Sequence, residues 1–126
     1  MTILDSDVWI AYFNTNDSQH LKARKVFEKI SDKIILTEYN ILEISSVLLL
    51  RASKAVADSF LDIVLNNADI AVLASNEHFF NRVIKRFLEF KKSSLSFVDV
   101  SLVVLSKEYE VVTFDEKLKK VLNVKF

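Results

Sequence analysis

Thr2-Ile3-Leu4-Asp5-Ser6-Asp7-Val8-Trp9-Ile10-Ala11-Tyr12-Phe13 is the stretch that decides the fold. A short strand, residues 2–4, runs straight into a carboxylate. Apolar residues then resume over 8–13 as a helix. A strand that ends on an acid and turns at once into a helix opens an α/β unit.

The rest of the chain repeats that alternation. Residues 33–36, 69–73 and 110–113 predict further short strands, with 124–126 as a candidate fifth. Helices are predicted over 17–30, 37–53, 55–65, 77–91, 96–108 and 116–122. The first of these carries an apolar stripe of Leu21, Val26, Phe27 and Ile30. The 77–91 helix is expected to turn Phe79, Phe80, Val83, Ile84, Phe87 and Leu88 inward. Strands separated by helices pair in parallel through right-handed crossovers. Their nearly unbroken apolar character fits a sheet covered on both faces. The expected architecture is a three-layer α/β/α sandwich around a short, mainly parallel sheet, with residues 1–126 forming one domain. In such sheets, ligands collect beyond the carboxyl ends of the strands.

Composition removes whole classes of chemistry. With no glycine, the chain has no Gly-rich phosphate loop, no dinucleotide fingerprint and no lipase-type nucleophile elbow. With no cysteine, it has no disulfide and no cysteine-ligated zinc. His20 and His78 stand far apart and read as surface helix residues. Turns must use Asn, Asp and Ser, as at residues 14–17 and 66–67. Seventeen Lys and Arg balance seventeen Asp and Glu, so the chain is not a basic coater of nucleic acid. No apolar run is long enough to span a membrane, and no signal-like N-terminus is evident, which predicts a cytoplasmic protein.

Four carboxylates interrupt apolar stretches. Asp5 follows Ile3-Leu4, Glu43 sits within Ile41-Leu42-Glu43-Ile44, Asp99 within Phe97-Val98-Asp99-Val100, and Asp115 follows Val111-Val112-Thr113-Phe114. The helices carrying Glu43 and Asp99 are apolar on most of their circumference and are expected to be largely buried. A buried carboxylate is costly unless it is protonated, paired with a cation or bound to a metal. No Lys or Arg stands at i±3 or i±4 from Glu43 or Asp99. Two such charges about 4 Å apart repel by roughly 4 kcal/mol at an effective dielectric near 20. If the four acids converge, a hard divalent cation, Mg²⁺ or Mn²⁺, relieves that repulsion and can serve phosphate chemistry. Each acid also has a structural reading. Asp5 or Asp115 could cap the helix that follows, Asp99 could be a first-turn acid, and Glu43 an exposed helix position. Asp7 reads as helix-start chemistry rather than as a ligand.

In their order and surroundings these residues resemble the PIN-domain family, and within it the VapC-like ribonuclease toxins. Residues 3–13 look like the family's opening strand, Asp and helix. Residues 37–51 look like its second motif, with Glu43, and residues 95–105 like its third, with Asp99. Residues 111–118, Val-Val-Thr-Phe-Asp-Glu-Lys-Leu, look like its Thr-x-Asp ending. The resemblance covers nearly the whole chain. It implies a metal-dependent endoribonuclease using one or two Mg²⁺ or Mn²⁺ ions, held by Asp5, Glu43, Asp99 and Asp115. Apart from the resemblance, Ser6 and Thr113 read first as structural hydroxyls, with orientation of ligands or water as the alternative role. The resemblance further implies a homodimer, an RNA substrate and an antitoxin partner of the VapB type. The family's usual glycine before the last strand is replaced here by Lys107-Glu108-Tyr109-Glu110. Arg82, Lys85, Arg86, Lys91 and Lys92 form the densest basic stretch, which reads as a solvated helix face, so the RNA contacts stay unassigned. Two other readings stand beside the nuclease: a non-catalytic PIN-fold module binding RNA or protein, and a haloacid-dehalogenase-like phosphatase suggested by Asp5-Ser6-Asp7. The phosphatase lacks a convincing catalytic Lys and the glycine-containing acidic motif.

Overall fold

The computed structural model describes residues 1–91 and 94–123. Strands β1 (Thr2–Leu4), β2 (Ile34–Thr37), β3 (Ile70–Leu73) and β4 (Glu110–Val112) form one sheet in the order β3-β2-β1-β4. All pairings are parallel, with Ile3 opposite Ile35 on one side and Val111 on the other. The helices are α1 (Ser6–Phe13), α2 (His20–Lys29), α3 (Glu38–Arg51), α4 (Lys54–Asn66), α5 (Glu77–Glu89), α6 (Phe97–Leu105) and α7 (Glu116–Leu122). The expected fifth strand at 124–126 lies outside the described residues.

Alternation along the strands divides the interior in two. Leu4 and Leu36 face one core, with Val8, Trp9, Ile44, Leu48 and Phe60. Ile3 and Ile35 face the other, with Val83, Val100, Leu102 and Leu118. The period-two geometry of a strand thus supplies both faces of the sheet with apolar side chains, giving three layers. Because all strands are parallel, their carboxyl ends share one edge. β1 lies between β2 and β4, so Asp5 emerges near the middle of that edge.

Several expectations needed correction. α1 begins at Ser6, not near residue 8, because Asp5 already caps it. α2 begins at His20, not 17. Residues before it are spent in turns where Asn14 Oδ1 accepts from Asn16 N–H and Asp17 Oδ1 from Gln19 N–H. Leu21 then points to solvent rather than joining the stripe. α3 is less buried than expected. Asn40, Ile44 and Leu48 face inward, while Leu42 is 62% and Leu50 85% exposed. On α5 only Phe79 and Val83 are buried, and Phe80, Phe87 and Leu88 stay exposed. At 100° per residue, the six apolar positions of α5 cover more circumference than its one neighbouring layer can take up. α6 is buried over residues 100–105, as expected. Its end needs no glycine: the N–H groups of Glu108 and Tyr109 both donate to Leu105 C=O, and no described residue has positive φ.

Candidate functional site

The site is built where β1 and β4 end side by side. The sheet order places the return of the chain here, since β1 leads to β2 on one side and β4 docks on the other. Asp5 is 4% exposed and both its oxygens are held. Oδ1 accepts from Ser6 N–H at 2.7 Å, and Oδ2 accepts from the Thr113 hydroxyl at 2.7 Å. Thr113 Oγ1 in turn accepts from Asp115 N–H at 3.1 Å. It also lies 3.4 Å from Asp7 Oδ2. A hydroxyl carries a single proton. The shorter distance assigns that proton to Asp5.

Asp7 is more than a helix-start residue. Its Oδ2 accepts from Phe114 N–H at 3.1 Å, tying α1 to the turn after β4. Its Oδ1 is buried without a hydrogen-bond partner among the described residues. Burial, and next the charge of Asp7, raise the Asp5 carboxyl to about 7; Asp99 adds to this. Burial raises Asp7 to about 6, and Asp115 contributes to that rise. The two elevations have the same origin: carboxylates removed from water and facing one another.

Asp99 and Asp115 approach this pair while starting their own helices. Asp99 forms a capping box at the head of α6, its Oδ2 accepting from Ser96 N–H and its own N–H donating to Ser96 Oγ. Asp115 caps α7, with Oδ1 accepting from Lys117 N–H and Leu118 N–H. The capping roles that sequence left open are therefore real, and each acid keeps its second oxygen outside those bonds.

No contact among the described residues brings Glu43 to these four acids; what the structure shows is how α3, which carries it, is tied to Ser6. Asn40, fully buried, donates from Nδ2 to Ser6 Oγ at 2.7 Å, and its Oδ1 accepts from Thr37 Oγ1 at 2.5 Å. This polar link fastens the start of α3 to the residue beside Asp5. Glu43 follows three residues later, on the same side of the helix as Asn40. It is half-buried and has no hydrogen bond or ion pair among the described residues.

A family model of the PIN domain matches residues 2–123. The chain belongs to the PIN-domain family. Two solved structures share its fold. VapC20 of Mycobacterium tuberculosis, described as a toxin that cleaves the sarcin–ricin loop, superposes with a TM-score of 0.87 at 19% identity, over 95% of this chain and 94% of that one. The FitAcB structure from Neisseria gonorrhoeae gives 0.66 at 14% identity, over 98% and 94%. No curated protein matches by sequence.

Among the described residues of this PIN chain, no group of three or more His, Asp or Glu side chains is spaced to hold a metal as it stands. The chemistry of the cluster nevertheless fits a hard cation. A buried carboxylate oxygen without a donor calls for water or an ion. Here it belongs to an acid pressed against a second acid, which is what a divalent ion would neutralise. No described helix is long and apolar enough to cross a membrane.

The side chains that sequence reasoning underrated are Asp7 and Asn40. For Asp7 the available signal was its spacing from Asp5 across a helix start. For Asn40 it was a polar amide inside an otherwise apolar helix face.

Proposed function

We propose that this PIN-domain chain is a metal-dependent endoribonuclease, the toxin of a type II toxin–antitoxin pair. The observation that carries the reading is the buried Asp5–Asp7 pair, with its orphaned oxygen, at the carboxyl edge of the sheet beside Asp99 and Asp115. Family membership supports the reading, as does the resemblance to a VapC toxin described as cleaving the sarcin–ricin loop.

Asp5, Glu43, Asp99 and Asp115, joined by Asp7, would hold one or two Mg²⁺ or Mn²⁺ ions. A bound ion supplies charge neutralisation and Lewis acidity at a phosphodiester. The protein's part is to keep its ligands fixed and desolvated. Thr113 donates to Asp5 Oδ2 while receiving Asp115 N–H, so one hydroxyl sets the relative orientation of two acids. Asn40 sets the position of α3, and with it Glu43, against Ser6. Burial of Asp5 keeps bulk water from screening the charges that hold substrate. Partners require surface elsewhere, and the exposed leucines of α3 with Phe80, Phe87 and Leu88 of α5 offer apolar area for a second copy and for a VapB-type antitoxin.

The test is cleavage of single-stranded RNA with Mn²⁺, repeated with Asp5→Asn and Asp99→Asn. Cleavage is expected from the parent only. Undiminished cleavage by both variants rejects the mechanism.

A further inference from the structure

One lysine stands beside the acid site without pairing with any acid. Lys22, in the first turn of α2, holds its Nζ 4.5 Å from the centroid of the Phe114 ring. Phe114 lies between Thr113, which donates to Asp5, and Asp115, which caps α7. Its ring belongs to the core with Leu4, Val8 and Trp9, and its N–H is fixed on Asp7 Oδ2 at 3.1 Å. Covalent geometry through Phe114 therefore leaves Lys22 Nζ no more than about 13 Å from Asp7 Oδ2.

The course of α2 brings the lysine there. Val26 and Ile30 meet Thr2 and Glu110, the first residues of β1 and β4, around a hollow at the amino edge of the sheet. Lys22 is one turn before Val26 on the same stripe, so it stands toward the carboxyl edge, where the acids are. Lys22 is exposed and forms no ion pair among the described residues. No Asp or Glu stands at i±3 or i±4 to hold it. The rest of α2 adds Arg24, Lys25 and Lys29 against a single acid, Glu28, in a chain of zero net charge. A ring face is a weak hold on an exposed ammonium, and a phosphate oxygen competes well with it. On a strand rising about 3.4 Å or more per nucleotide, the acids and Lys22 are at most about four phosphates apart.

We propose that Lys22 contacts a backbone phosphate of the RNA substrate flanking the phosphate held at the acid site. The choice of RNA rests on the nuclease reading; the place of the contact rests on geometry. The lysine supplies a point charge that fixes the path of the strand across Phe114 without reading its sequence.

The test reads binding and cleavage separately. A fluorescent single-stranded RNA is titrated with the full chain by anisotropy at several salt concentrations. Ca²⁺ is present to fill the all-oxygen site, and readings are taken in the first seconds after mixing. Four proteins are compared: the parent, Lys22→Gln, Lys22→Arg and a control, Lys85→Gln. Both lysines are exposed, and α5, which carries Lys85, covers the opposite face of the sheet from α2. Thermal melts check that each protein is folded. For Lys22→Gln, affinity at 0.1 M salt is expected to fall about fivefold and the slope of log K against log salt by about 0.7, the value for one phosphate contact on a single strand. Lys22→Arg and the control are expected to keep the parent values, and Mn²⁺ affinity by calorimetry to be equal in the parent and Lys22→Gln. An unchanged slope in Lys22→Gln overturns the proposal, as does an equal fall in the control, a loss that arginine does not restore, or a parent that binds no RNA. Tighter Mn²⁺ binding by Lys22→Gln also overturns it, making Lys22 a counter-charge of the acids instead. Cleavage by the parent with Mn²⁺ is scored apart. A Lys22-dependent slope without cleavage sinks the nuclease reading alone, and cleavage with unchanged slopes sinks the Lys22 contact alone.

Discussion

Asp5→Asn should make the metal-free protein more stable at pH 8 and no more stable, or slightly less, at pH 4. The folded carboxyl titrates near 7 against an ordinary value of 3.8. Below 3.8 both folded and unfolded chains carry the proton, and Asp5 costs nothing. Between 3.8 and about 7 the unfolded chain releases it while the folded chain keeps it, so stability falls as pH rises. Above 7 the loss is complete. About three pH units at 1.36 kcal/mol each gives a loss of about 4 kcal/mol, a large share of a typical 5–15 kcal/mol. Asparagine removes the charge and frees Asp7 from its neighbour's repulsion. Its amide can still accept from Ser6 N–H, and the Thr113 proton can turn toward Asp7 Oδ2. The change forfeits about one hydrogen bond, roughly 1 kcal/mol. The expected difference is therefore about −1 kcal/mol at pH 4, rising to about +3 kcal/mol at pH 8. Urea unfolding in EDTA at several pH values measures it, and subtracting the two profiles cancels the titrating groups that are not coupled to Asp5, leaving Asp5 together with the relief of Asp7. Parallel profiles would refute the claim that Asp5 is a strained, desolvated acid. Mn²⁺ should reverse the order at pH 8, raising the melting temperature of the parent and not of the variant.

Thr113→Val removes the hydroxyl that serves Asp5 and Asp115 at nearly constant shape; Mn²⁺ affinity by calorimetry should drop 10–100-fold, and the pH at which stability is lost should move upward because a bond to the charged form is gone. Asn40→Ala leaves Ser6 Oγ without its donor and the Thr37 hydroxyl proton without its acceptor in a buried position, so urea unfolding should register a loss of about 2–3 kcal/mol. Asp7→Asn should weaken Mn²⁺ binding while leaving the circular dichroism spectrum intact; unchanged affinity would return Asp7 to a purely structural role.

Strand positions and layers were legible because short apolar runs ending in acids leave few alternatives. Element boundaries moved where a side chain intervened: Asp5 starts α1 earlier, and the Asn14 and Asp17 turns start α2 later. Phe80, Phe87, Leu88 and the α3 leucines misled because apolar character shows that a side chain tolerates burial, not that a neighbour is there to bury it. The candidate site was only partly legible for a related reason. The bond from Phe114 N–H to Asp7 and the bond from Asn40 to Ser6 join residues far apart in the chain, and no local pattern encodes them. Asp5, Asp99 and Asp115 stood out because each breaks or closes an apolar run. The same logic singled out Glu43, whose side chain forms no hydrogen bond or ion pair with the others among the described residues.

Three of the acids also anchor the helices they introduce: Asp5 begins α1, Asp99 closes the box at α6, and Asp115 begins α7. An alanine at any of the three therefore removes chemistry and scaffold together. Replacing all three with alanine would remove caps worth about 1 kcal/mol each, whereas asparagine retains most of their capping ability. A descendant that drifted into catalytic silence would most easily pass through asparagine, keeping its shape. Alanine scanning of this cluster would blur a broken helix start with a lost reaction.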